Sequence, residues 1–112
     1  MLYVSGDEIY SLRMFENIKF KRLEEFWAIG DIQKRCIESI EEIRYLKGKE
    51  TIKKIVFNQN RIKDIDRIVD IVPSFPNLEL LSIKNNNIPK EKIEKVIQEL
   101  KEKGIKKLRI EY

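Results

Sequence analysis

The chain contains no histidine. That removes the side chain that most often serves as a general base near neutral pH, and with it Ser-His-Asp and Cys-His arrangements and most zinc sites. Cys36 is the only cysteine, so no intramolecular disulfide can form, and a cytoplasmic setting is expected. No stretch approaches the roughly eighteen consecutive apolar residues of a membrane-spanning helix. The opening "MLYVSGDEIY" has neither a basic leader nor a long apolar stretch, so no signal peptide is expected. The few glycines are scattered and make neither a Walker loop nor a GxGxxG turn. Carboxylate pairs such as Glu24/Glu25 and Glu41/Glu42 lie beside basic residues and read as solvated faces, with nothing to single out an acid and a base. The expectation is a non-enzymatic chain with no cofactor and no metal.

What is abundant is isoleucine and charge. Charged residues make up 38% of the 112 positions and hydrophobic residues 42%, which fits one folded domain with a heavily charged surface. The net charge of +4 is unevenly spread. Residues 1–50 hold 9 Lys/Arg against 10 Asp/Glu, whereas residues 51–112 hold 14 against 9. A basic half suggests an acidic partner, protein or nucleic acid. Lysines that merely solvate helix surfaces account for the same excess equally well.

Two asparagine-rich turns carry the strongest signal. Aligned on apolar residues, the first stretch runs Ile52-x-x-Ile55-x-Phe57-x-x-Asn60-x-Ile62. The second runs Leu78-x-x-Leu81-x-Ile83-x-x-Asn86-x-Ile88, and a third begins at Ile105-x-x-Leu108-x-Ile110. Alternation puts both apolar side chains of each short strand on one face. Ile65, Ile68, Val69 and Val72 then follow helical spacing, as do Ile93, Val96, Ile97 and Leu100. Asp64 is a candidate cap for the first helix, and Pro89 suits the first turn of the second. "VPSFPN" and "KEKG" end them. Each unit is a strand, a turn and a helix that cannot bury its apolar side alone.

This pattern over residues 52–112 resembles a leucine-rich repeat, with isoleucine replacing most leucines. Helices longer than about ten residues make it similar to the ribonuclease-inhibitor class. The resemblance implies an α/β fold: a short right-handed solenoid with a parallel inner sheet and helices on the outer face. It also implies that Asn60 and Asn86 are buried and bond the backbone of neighbouring turns, a structural role. Asn85 and Asn87 are expected at the turn or rim, free for contacts, so that truncating Asn85 would be nearly neutral.

Residues 1–51 fit less well and are expected to form an atypical cap with a degenerate unit. "IQKRCIESIEEIRYLKG" reads as one helix, capped by Asp31 and stopped at Gly48, with Ile32, Cys36, Ile40, Ile43 and Leu46 inward. Cys36 is then inert core. Phe15-x-x-Ile18-x-Phe20 is expected to begin the degenerate unit, and residues 1–14 to add a strand pair turning at "SGDE". Trp27 reads more readily as cap core than as a surface anchor. A three-layer fold with helices on both sheet faces is the alternative architecture.

The neighbours of the inward strand residues point to the concave face. They are Lys54, Val56 and Asn58, then Leu80, Ser82 and Lys84, then Lys107, Arg109 and Glu111, with Asn85 at the rim. Asn17, Lys19 and Lys21 join them if Phe15 begins a unit. The row is mixed but predominantly basic, with Val56 and Leu80 as apolar contacts. A protein-binding module is therefore expected, an inhibitor or immunity protein being one form, gripping an acidic protein surface as a monomer. Nucleic-acid binding through the same face ranks second, because stacking aromatics are absent from the expected row.

Overall fold

In the computed structural model, which describes residues 1–5, 9–31 and 33–112, short strands build one parallel sheet. They are β1 (Leu2–Ser5), β2 (Glu25–Ile29), β3 (Lys54–Val56), β4 (Leu80–Ser82) and β5 (Arg109–Glu111), side by side in chain order. Parallel neighbours require each connection to leave the sheet and return in the same sense. The return is a 3-10 helix at Ile40–Tyr45 after β2. After β3 it is a helical run through Ile65–Arg67, α1 (Ile68–Ile71) and Val72–Ser74, and after β4 it is α2 (Lys90–Glu102). Only α2 reaches the helix length the sequence suggests.

The inward rows of the sheet are continuous. Phe26, Ile55, Leu81 and Ile110 are mutual register partners, and all four are buried. Phe57 and Ile83 extend the ladder by donating to the carbonyls of Ser82 and Glu111. The buried faces of the helical segments, including Ile43, Ile65, Ile68, Ile93, Val96 and Leu100, join these residues in one core cluster. Burying each such side chain is worth about 1.5–3 kcal/mol. Helices thus lie on one side of the sheet among the described residues, in two layers, which sets aside the three-layer alternative.

Both central asparagines are buried and bonded to backbone groups. Asn60 donates to the carbonyls of Ala28 and Asn58 and accepts from the Ile37 N–H at 3.0 Å. Asn86 donates to Phe57, Ile83 and Lys84 and accepts from the Ile62 N–H. Each amide therefore stitches its own turn to the preceding one, satisfying peptide groups that no strand or helix pairs. Gln59 and Asn85 precede them with φ of 59° and 60°, and Asn87 follows at 56°. Asparagine tolerates this left-handed backbone better than most residues. Gly30 is required nearby, because a Cβ there would lie 2.3 Å from Asn60 Oδ1.

The N-terminal half departs from expectation in several places. Residues 33–39 are not helical: the Ile37 N–H is held by Asn60, and the Ile37 and Glu38 carbonyls accept from Arg61 and Lys63. With these backbone groups committed across the fold, no helical ladder can form, although Cys36, Ile40, Ile43 and Leu46 are buried as expected. Asp31 closes a local turn on Gln33 and Lys34 instead of capping a helix. Asp64 does not cap its own helix either; it accepts from the Ile40 N–H and the Ser39 hydroxyl next door. Pro89 stands at the cap position, one residue ahead of α2.

Phe15 closes a single 3-10 turn, Arg13–Phe15, and Ile18 is exposed. Phe15 packs edge-on against Phe26, 5.6 Å between centroids. The strand of this region is β2, so the repeating triplet is Leu23-x-x-Phe26-x-Ala28, with Asp31 at the asparagine position. β1 runs parallel to β2 instead of forming half of a hairpin, and residues 9–12 form no strand. The expected turn at "SGDE" and the inward placement of Ile32 fall outside the described residues. β5 also slips: Ile110, not Leu108, pairs with Leu81. A slip of two preserves which face each side chain occupies.

Candidate functional site

Strand alternation turns one set of side chains away from the core cluster. The row across the sheet is Tyr3, Trp27, Val56, Ser82 and Glu111, with Lys54, Leu80 and Arg109 in the row beside it. Trp27 is therefore not cap core. Its ring lies 6.2 Å from that of Tyr3, which is 50% exposed, and Lys54 Nζ sits 4.8 Å over it. Trp27 Nε1 donates to Glu25 Oε1 at 3.1 Å, so the indole is held on both its polar and apolar sides. An aromatic anchor fixed in this way carries little ordering cost on binding.

The expected contact residues divide by position. Val56 and Ser82 are buried within the face, so Val56 is not the apolar contact it was expected to be. Asn58 Oδ1 accepts from the Ser82 hydroxyl and the Lys84 N–H, both at 2.8 Å, and stiffens the sheet's C-terminal end. Leu80 is half-buried, while Lys84, Asn85 and Arg109 are exposed. Lys107 lies ahead of β5 and pairs with Glu79 at 3.5 Å. Asn17, Lys19 and Lys21 are exposed in the chain leading to β2 and do not join the sheet.

Charge on the face is largely neutralised. Lys54 pairs with Glu25 at 3.9 Å and Arg109 with Glu111 at 3.6 Å. The face is thus an aromatic and apolar strip bordered by paired charges, and not the basic surface expected from the sequence. The signal for Trp27 and Glu25 was present in "LEEFWAI", where Phe26 and Ala28 alternate with them. Small Ala28 and the missing asparagine hid the match.

A separate cavity of about 660 Å³ is lined by Tyr10, Arg35, Cys36, Glu42 and Arg61 among others. Arg35 stacks on the Tyr10 ring at 3.7 Å, and Glu42 accepts from the Leu12 N–H. Burial pushes the Cys36 thiol above its ordinary pKa, with the Arg61 charge opposing. The shift disfavours the thiolate that nucleophilic chemistry needs. Among the described residues no cluster of three metal-ligating side chains forms, and no helix is long and apolar enough to cross a membrane.

Compared with known proteins, the chain matches no family model, no curated protein and no solved structure.

Proposed function

We propose that this chain is a non-catalytic binding module, a short leucine-rich-repeat-like solenoid that engages a protein through its open sheet face. An inhibitor or immunity protein works in this way. Support for the architecture comes from the sequential parallel strands and from the amides of Asn60 and Asn86, which link successive turns. The likeness to the ribonuclease-inhibitor class extends only to the unit containing α2, the one long helix described. The observation that carries the function is the Tyr3–Trp27–Lys54 cluster beside Leu80, fixed on the sheet face turned away from the core cluster, with Tyr3 half-exposed. Tryptophan and tyrosine in such settings are enriched at the energetic centres of protein interfaces.

The test is capture of a partner by the intact chain, followed by titration calorimetry. Trp27→Ala and Leu80→Glu should each weaken the complex at least about tenfold, a loss of roughly 1.4 kcal/mol or more. An unchanged affinity in both variants would remove the sheet face from the interface.

Nucleic-acid binding is the second reading, and Tyr3 and Trp27 supply the aromatics it had lacked. Lys54 already covers one side of the indole, and the pairing of Lys54 and Arg109 leaves less charge to displace counterions. We expect single-stranded RNA to bind no tighter than about 10⁻⁶ M at physiological salt. Tighter binding, with a log K against log salt slope of about −2 from three cations, would favour this reading instead.

A further inference from the structure

The basic excess of the C-terminal half gathers at the flank where β5 and α2 meet. Between Lys101 and Arg109 the chain has Lys101, Lys103, Lys106, Lys107 and Arg109 against a single carboxylate, Glu102. Glu102 turns toward Gln98. Lys101, Lys106, Lys107 and Arg109 line a groove of about 550 Å³ whose floor is apolar, formed by Ile97, Leu100, Leu108 and Ile110. Ile97 and Leu108 are only partly buried.

The backbone beside this groove is also unpaired on one side. Arg109 donates its N–H to Glu79, and Glu111 accepts from Ile83, so both residues turn toward β4. Along a parallel strand the bonding direction alternates. The N–H and C=O of Ile110 and the N–H of Tyr112 therefore face away from β4, where no described strand pairs with them.

We propose that this edge receives an extended, acidic segment of a partner protein, added to β5 as a further strand. The strand supplies the backbone bonds, alternate apolar side chains enter the groove, and the intervening carboxylates turn to the Arg109 side, within the field of the groove's lysines. The ion pairs already there, Lys107–Glu79 and Arg109–Glu111, are exposed and easily exchanged for a partner's carboxylate. The same charge rejects a second copy of this chain, since two such edges would oppose lysine to lysine. Nucleic acid is the weaker match, having no peptide ladder to offer β5. This edge adjoins the open sheet face at Arg109 but offers backbone groups that the face does not use, and it stands whether or not that face binds.

The probe is a short synthetic peptide alternating glutamate and valine, titrated against the intact chain at low salt. Controls carry lysine for glutamate, or N-methyl groups on alternate amides. Binding should slow hydrogen exchange at Ile110 and Tyr112 while leaving Trp27 fluorescence unchanged. K101E/K106E alters exposed residues with no ion pair among those described, and should weaken binding at least about tenfold. The N-methyl and lysine peptides should bind weakly or not at all. The proposal fails if the glutamate peptide does not bind, if either control binds as well, or if protection appears away from β5. Tighter binding of a single-stranded oligonucleotide at the same residues would also overturn it.

Discussion

Asn86 holds four backbone groups with one side chain, whereas the adjacent Asn85 is exposed and adopts a φ of 60°. Their substitutions should fail for different reasons. Asn60→Ala and Asn86→Ala each leave buried peptide groups unpaired, at a cost of about 1–3 kcal/mol or more. Asn85→Ala is not the neutral change its exposure suggests, because alanine keeps the Cβ but loses the short amide that offsets the roughly 1–2 kcal/mol cost of left-handed backbone. Asn85→Gly should be neutral or stabilising, and denaturant melts of the four variants separate these cases. Cys36 gives a pH test. Its folded pKa lies above the ordinary value of 9.0, so the fold favours the neutral thiol. That contribution is fully present below pH 9.0 and is lost as pH rises through the folded pKa. Stability measured against Cys36→Ala should therefore converge in alkaline buffer, and alkylation at neutral pH should be slow.

At the scale of elements, the segment between β2 and β3 shows how neighbours override local preference. Its apolar spacing suits a helix, yet Asn60, Arg61 and Lys63 take the peptide groups that a helix would use. What remains is the 3-10 helix Ile40–Tyr45, whose first N–H is capped by Asp64 from the next unit and whose Ser39 hydroxyl donates to the same carboxylate. Asp64→Ala should cost about 1–2 kcal/mol, as lost caps do. Hydrogen exchange locates the damage. It should quicken at Ile40 and Glu41, whereas a cap acting on its own helix would loosen Asp66 and Arg67.

At the scale of the whole molecule, each strand is covered by the next. β5 contributes the buried Ile110, and its Glu111 carbonyl accepts from Ile83. Deleting residues 105–112 uncovers Leu81 and Ile83 on that side and removes a burial worth about 2 kcal/mol before strand bonds are counted. Because β4 packs and bonds against β5, this should lower the melting temperature by roughly 10 °C or more. An unchanged melt would show that β5 adds nothing to the core. The short, basic β5 edge also predicts that the intact chain sediments as a monomer across concentrations.

Periodicity made the units after Ile52, the inward residues and the two structural asparagines legible, because alternation and helical spacing are local and survive without knowledge of the partner strand. Even the misplaced register of β5 kept every side chain on its proper face, since a shift of two leaves parity intact. The N-terminal unit was not legible in the same way. Ala28 stands where a large apolar residue marks the other units, and Asp31 can accept bonds but, as a carboxylate, cannot donate to neighbouring carbonyls. The character of the candidate face was decided by tertiary structure alone. Lys54 reads as a free cation along the chain, but parallel pairing sets it beside Glu25 and over Trp27. Whether a charge is open or neutralised depends on which strand lies alongside, and that is a non-local choice made by the fold.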